Sequence, residues 1–400
     1  MGSASPTSRW TGWTIPRAIP WFVGSFAFFT PFSIAGAHIS LAIATVLWLA
    51  SPTARGHVGR WVRGHPLAVP MLAWCVISVL AVVLAVDPGR SAEKLKKLAL
   101  LPLLPLGALP QVRRAIRSIL AALISSTAIV AVYGLLWHWS RGGGLESRIE
   151  GISGFYMTVA GTLMIVALLC AGELVSAVKD PRSRRIVFLA LSGLAILGAL
   201  LGTYTRGSWI GFVAGAIFLL RSRRTALVSL VVAVGLFFAL GPADARDRVL
   251  SIFRPDHPRN VERVLIWQHG VDMFLARPLT GAGLVIPKEL MEREVETESG
   301  VIRVHSHMHN AYLQILVSMG LPGLGVFLWS IVAFFRMARR AARQPLRNLW
   351  EEGLVVAYPA VLVALLVNGF FEWNFGDSEI LGLFYLVSGL TLGIDVGGED

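Results

Sequence analysis

An all-α polytopic membrane fold is what this sequence predicts, and composition is the first reason. Of its 400 residues 55% are apolar and only 15% charged, with a mean hydropathy of +0.65. Soluble globular chains carry about 45–50% apolar and 25% charged residues. Second, apolar tracts of roughly 17–25 residues recur along the chain, each long enough to cross a bilayer's hydrocarbon layer. Third, Lys and Arg gather in alternate connecting segments, as cytoplasmic loops do. The same bias explains the net charge of +12, so nucleic acid is not implied as a partner.

Twelve spans are expected, at about 18–33, 36–51, 68–86, 97–110, 115–138, 153–177, 186–204, 207–221, 225–241, 309–338, 352–371 and 379–395. The first two are short or tilted, because Pro31 and Gly36 break the helix between them. The fourth, LALLPLLPLGALP, is short and proline-rich. The tenth is long and should bend at Gly320-Leu-Pro-Gly323. Residues 1–241 thus hold helices one to nine, 242–308 form a large outward loop subdomain, and 309–400 carry helices ten to twelve and a tail. The run from Pro20 to Ala50 is too long for a cleavable signal. Cys75 and Cys170 lie inside apolar tracts, far apart, and read as buried small residues.

With the amino terminus inside, the inward segments hold about 20 of the 36 basic residues, which places both termini in the cytoplasm. DPGRSAEKLKK is the exception, an outward loop with Lys94, Lys96 and Lys97. The segment from Pro242 to Met308 is too long for a structureless connection. Within it VERVLIWQHGVDMFLARP reads as a surface helix with Val264, Trp267 or Gln268, Val271 and Phe274 on one side. PLTGAG is a glycine turn, and MEREVETESGVIRVHSH suits a small hairpin around Ser299-Gly300.

Several outward polar groups invite a chemical reading, each beside a plainer one. Arg206 sits between two spans with almost no loop. It is either a snorkelling or helix-terminal arginine, or a cation held where a lipid-borne anion can meet it. Arg263 lies on the surface helix, four residues before Trp267, and taken alone is a solvated charge. A histidine's unperturbed pKa lies near neutrality, so His309 suits a general base, while His309 or Asn310 equally suits a helix cap. His305, His307 and His309 share one side of an extended segment, and Glu292, Glu294, Glu296 and Glu298 share one face of a strand. Neither set has fixed partners nearby, and no metal is expected. Lys94 and Lys97 read as interfacial anchors or as attractors of a phosphorylated ligand. Glu372 is a candidate to orient His309 or hold hydroxyls. Asp377 is a candidate for the same work or for capping the last helix. The chain has no phosphate-binding P-loop, no GxGxxG after a strand, no HExxH and no GxSxG. Few charges lie in mid-span, Glu173 being the nearest case, which argues against a proton-coupled transporter.

His309-Asn310, nine residues, Gly320, two residues and Gly323 together resemble the signature of the O-antigen ligase family of lipopolysaccharide assembly. Arg206 is similar to that family's arginine at the junction of two helices. Arg263 with Trp267 and the downstream PLTGAG resembles its R-x3-W … P-L-x-G-x-G segment. The likeness is sharp from Thr205 to Gly325. It implies a GT-C-type glycosyltransferase of the bacterial inner membrane whose active site faces the periplasm. The implied donor is a glycan on undecaprenyl pyrophosphate, and the implied acceptor is lipid A-core, with no cofactor, metal or ATP. His309 would be the general base, and Arg206 and Arg263 would clamp the departing pyrophosphate. Asn310, Trp267, Lys94, Lys97, Glu372 and Asp377 are the weaker donor- or acceptor-binding candidates. The same motifs resemble O-antigen polymerases and protein O-oligosaccharyltransferases. A lipid or solute transporter using the arginines only for anion binding is the rival from another class.

Overall fold

The computed structural model describes residues 15–151, 155–180, 183–220, 239, 243–297, 300–304 and 307–397. Its first half holds α1 (Ile15–Phe29), α2 (Ile34–Ala50), α3 (Pro52–Gly64) and α4 (Ala68–Val83). A broken run follows: α5 (Pro88–Ala92), a 3₁₀ stretch Glu93–Leu100, α6 (Leu103–Gly107) and α7 (Pro110–Arg114). Then come α8 (Ile116–Ser140), α9 (Tyr156–Ala177), α10 (Arg184–Gly202) and α11 (Arg206–Leu219). The second half holds α12 (Ala243–Leu250), α13 (Pro258–Ala276), α14 (Lys288–Met291), strands β1 (Arg293–Thr297) and β2 (Gly300–Val304), α15 (Ala311–Ala341), α16 (Leu349–Asn368) and α17 (Ser378–Val396).

Six of the described helices are long and apolar enough to cross a membrane: α8, α9, α10, α15, α16 and α17. Three shorter apolar helices, α2, α4 and α11, accompany them. Their outward faces carry large aliphatic side chains such as Ile39, Ile129, Leu191 and Leu194, all exposed. In water that surface would be a liability; in lipid it is solvated. The chain is therefore a multi-pass membrane protein.

The ninth expected span, 225–241, lies outside the described residues. The fourth, 97–110, is corrected: no single helix covers it. Pro102, Pro105 and Pro110 each lack an amide hydrogen and break the ladder into short pieces. These pieces survive because Leu103 to Gly107 are wholly buried against α17, where irregular backbone is shielded from lipid. Each of the other expected spans coincides with a described helix.

Close helix packing sets the position of the site. Gly207, Gly211 and Gly215 form a stripe along α11, and a Cβ on Gly211 or Gly215 would sit 2.8 or 2.7 Å from the carbonyl oxygen of Ala364 or Ala360. This small-residue contact draws α11 against α16, so the start of α11 lies beside the end of α16. At the far end of the same helices lie ion pairs between basic connecting segments and helix termini. Arg113 makes a two-pronged contact with Glu351, Nε to Oε1 and Nη2 to Oε2, both at 2.9 Å and almost fully buried. Arg185 pairs with Glu173, and Arg340 donates to Asp395 at 2.8 Å beside His65.

The loop before α15 has the helix, turn and hairpin that the sequence suggests. In the hairpin Arg293 pairs with Val304 and Thr297 with Gly300, antiparallel. α13 divides its apolar residues between a packed face and an exposed one. Ile266 and Gly270 are its buried residues, packed with Trp267 and Phe274 against Met308, Leu313 and Val317. Val264 and Val271 are exposed.

α15 bends where the glycines suggest, and three backbone hydrogen bonds to the PLTGAG turn stand in for helical ones at the bend. Gly320 adopts φ 67° and ψ −167°, a left-handed conformation that suits glycine. Pro322 cannot donate to the Ser318 carbonyl, so the Gly283 amide does, at 3.1 Å. Leu321 donates to Pro278 instead of Val317, at 2.8 Å, and Ala282 takes the Val317 carbonyl at 2.7 Å. The PLTGAG turn is thus stitched into the kink, fixing α13 relative to the start of α15.

Candidate active site

Where the starts of α9, α11, α13 and α15 meet the ends of α10 and α16, a cavity of about 300 Å³ opens. Arg206, Arg263 and His309, between 46 and 103 residues apart in the chain, all line it, with Tyr156, Met157, Tyr204, Thr205, Gly207, Arg248, Arg259, Glu262, Ile266 and Glu372. Helix starts carry unpaired amide hydrogens and the positive end of the helix dipole, which favours an anion here.

Arg206 is the first residue of α11. Its Nη1 donates to Ser251 Oγ and its Nη2 to Asn260 Oδ1, each at 3.0 Å. Both partners are neutral, so the guanidinium is held in place with its charge uncompensated. Asn260 is itself fixed by donating to the carbonyls of Ser251 and Arg254, at 2.9 and 2.8 Å. Arg263 differs. Its Nη2 donates to Glu372 Oε1 at 3.0 Å.

Glu372 also faces His309, with Oε2 3.3 Å from Nδ1. An ionised carboxylate only accepts, so the Nδ1 position carries the proton and Nε2 keeps its lone pair. Glu372 is nearly buried at 5% exposure, and this pair of contacts orients both cavity residues at once. The backbone amide of His309 donates to His307 Nδ1 at 3.3 Å. Burial, with His309 beside it, pushes the pKa of His307 down to about 4, so His307 is neutral throughout the ordinary range. Tyr204 and His309, with φ of 53° and 45°, are the described non-glycine residues with positive φ. Both line the cavity, and strain of this kind persists where the surroundings over-determine a conformation.

The electrostatics are those of a cationic basket. Burial, then the neighbouring Arg206, Arg259 and Arg148, push the pKa of Arg248 down to about 9, which leaves it charged at neutral pH. His257 is lowered by burial and by Arg206, Arg248, Arg259 and Arg254. Arg148 lies with its guanidinium 4.7 Å from the Tyr156 ring centroid.

The weaker candidates divide. Asn310 is the helix cap of α15: its Oδ1 accepts from the amides of Tyr312 and Leu313, both at 3.0 Å, and it lies outside the cavity lining. Trp267 donates to the Met308 carbonyl at 3.0 Å and so steadies the backbone leading into His309. Asp377 stands at the start of α17 but its side chain does not cap the helix; it accepts from Thr158 Oγ1 at 2.8 Å. Lys97 donates to the Gly376 carbonyl, Lys94 is exposed, and neither lines the cavity.

His305, one of the three histidines of the extended segment, lies outside the described residues. Among the described residues His307, His309 and Glu372 each offer a ligand atom within 4.8 Å of the others, a set that a divalent cation such as zinc can occupy. Sequence reading missed Arg248, Arg259, Glu262 and Tyr156. Part of the signal was legible: Arg259, Glu262, Arg263 and Ile266 follow the i, i+3, i+4, i+7 spacing of one helix face, and all four line the cavity. Nothing in the spacing of Arg248 or Tyr156 points there; tertiary folding brings them in.

Residues 188–328 match the family model described as O-antigen ligase. The matched stretch runs from α10 into α15 and contains Arg206, Arg248, Arg259, Arg263 and His309, while Tyr156 and Glu372 lie outside it. No curated protein matches the chain.

Proposed function

The match over residues 188–328 makes this chain a member of the O-antigen ligase family, and on that premise we propose that it transfers a glycan from undecaprenyl pyrophosphate to lipid A-core. The acceptor hydroxyl attacks C1 of the donor's first sugar. Its proton passes to His309 Nε2, the new glycosidic bond forms, and the bond from C1 to the phosphate oxygen breaks. Undecaprenyl pyrophosphate leaves with the electron pair. Direct displacement inverts the anomeric centre.

The observation that carries this reading is the convergence of His309, Arg206 and Arg263 on one cavity. A base of near-neutral type next to permanent cations is what glycosyl transfer from a diphosphate needs. Arginine offers a planar donor fork to phosphate oxygens. No cofactor, metal or ATP enters this scheme.

The finer topology belongs to the same proposal: a GT-C-type arrangement of spans in the bacterial inner membrane. Both termini are cytoplasmic and the cavity is periplasmic. The basic ion-paired segments at the end of the bundle opposite the cavity support that orientation.

The test is reconstitution in liposomes with undecaprenyl-pyrophosphate glycan and lipid A-core, EDTA present. A mass-shifted lipopolysaccharide band supports ligation. Laddering of the donor alone assigns a polymerase, transfer to a protein acceptor assigns an O-oligosaccharyltransferase, and flux of a solute without transfer assigns a transporter.

A further inference from the structure

Charge matching in the cavity goes further than the base and the two expected arginines. A polyprenyl-diphosphate sugar carries two negative charges, and the diphosphate that leaves carries about three at neutral pH. Arg263 has its guanidinium against Glu372 at 3.0 Å, so that pair adds almost no net charge. Arg206 is uncompensated but single.

We infer that Arg248 and Arg259, backed by Arg148, are the principal diphosphate ligands together with Arg206, and that Arg263 acts chiefly by positioning Glu372 and His309. This rests on the proposed transfer reaction. Among the described residues none of Arg148, Arg206, Arg248 and Arg259 has a carboxylate within ion-pair distance. With the Arg263–Glu372 pair set aside, these four guanidiniums against the remaining lining carboxylate, Glu262, leave three net positive charges, matching the charge of the leaving group. Arg148 is buried to 8% exposure, and among the described residues its Nη2 has no hydrogen-bond partner, a costly state for a charged donor unless a ligand answers it. Among the described residues Arg248 reaches one acceptor, the Tyr204 carbonyl, through Nε at 3.4 Å, and neither Nη group has a partner there. Burial first, and then the like charges of Arg206, Arg259 and Arg148, lower the Arg248 pKa to about 9; a bound polyanion relieves both costs. The geometry divides the cavity into a cationic half on α11, α12 and the start of α13, and a proton-accepting half of His309, Glu372 and Arg263.

Inorganic pyrophosphate is the probe, measured by calorimetry on the purified full chain and by inhibition of transfer. Wild type should bind it, and inhibition should be competitive with the lipid-linked donor and not with the acceptor. Arg248→Gln and Arg259→Gln should each weaken binding by at least about 10-fold, the loss of one charge-assisted hydrogen-bonding group. Arg263→Gln should change it by less than about 3-fold while lowering kcat, because its charge is already paired. Arg248→Lys and Arg259→Lys keep the charge and should restore much of the affinity, which separates ligand loss from misfolding. The inference is overturned if the two Gln variants bind like wild type, if Arg263→Gln loses the most affinity, if the Lys variants bind no better than the Gln variants, or if pyrophosphate competes with the acceptor. Absence of transfer by a wild-type protein that still binds pyrophosphate in this pattern would overturn the transferase reading and leave the diphosphate site standing.

Discussion

Replacing Glu372 by Gln isolates the negative charge that joins His309 to Arg263. The side chain keeps its size and one acceptor oxygen, but the carboxylate that faces His309 Nδ1 at 3.3 Å and Arg263 Nη2 at 3.0 Å is gone. In the transition state His309 gains a proton, and the imidazolium forms against that carboxylate. A hydrogen bond to a charged group contributes about 1.5–3 kcal/mol. Arg263 already answers part of the Glu372 charge, so the lower end applies, about 1.5–2 kcal/mol, or roughly 10–30-fold in kcat. The assay is transfer in liposomes with saturating acceptor and varied donor, following kcat and donor KM separately. Donor KM should stay within about 3-fold, because uniform binding is not what this residue supplies. A variant with wild-type kcat, or one whose loss lies wholly in donor KM, would refute the orienting role of Glu372.

Other consequences follow from the same geometry. Gly320→Ala places a Cβ 2.6 Å from the Pro278 oxygen and the Leu279 carbon at φ 67°; thermal unfolding should show a loss of about 1–3 kcal/mol, and transfer should fall as the PLTGAG turn separates from α15. Asn310→Ala removes the α15 cap, at a cost of about 0.5–2 kcal/mol in thermal stability, with donor affinity unchanged. His307 has its pKa lowered to about 4, below the roughly 6.5 of an exposed imidazole. The unfolded chain therefore takes up a proton that the folded site refuses. Stability present above pH 6.5 should decline as the pH falls toward 4, by on the order of 3 kcal/mol, and His307→Gln should flatten that decline in melting curves at pH 7 and pH 5. Added Zn²⁺ should inhibit transfer by engaging His307, His309 and Glu372, with EDTA restoring it; inhibition that persists in His307→Gln at the same zinc concentration would contradict that site.

Much of the fold was legible because a bilayer imposes one rule on long apolar tracts: they must be helical. The limits of legibility are physical too. Span four failed because Pro102, Pro105 and Pro110 break a helix that burial against α17 then shelters, and burial is a tertiary fact. The buried face of α13 was not legible because Val264 and Val271 follow the helical period as well as Ile266 and Gly270 do, and apolar residues beside a membrane can face lipid as readily as protein. At the site, Arg206, Arg263 and His309 were legible through a resemblance to family motifs, not through periodicity. Glu372 was recognised as a partner for His309 only by its place in an outward turn. Arg248 and Tyr156 gave no sequence signal, since charges and aromatics are common in polar loops and at membrane interfaces. Asn310 shows the reverse case. Its position before an apolar run permitted a binding role, and the two amide hydrogen bonds to its side chain assign it to the helix.

His309→Ala in a single-turnover experiment bears most directly on the whole account. Enzyme is loaded with lipid-linked donor in nanodiscs, donor retention is measured, and acceptor is then added. Donor should remain bound to within about 3-fold of wild type, while the rate of glycan transfer drops by about 10²–10⁴, the usual contribution of a general base. Transfer at the wild-type rate, with the imidazole gone, would mean that some other group takes the hydroxyl proton and that the cavity was assembled for another purpose.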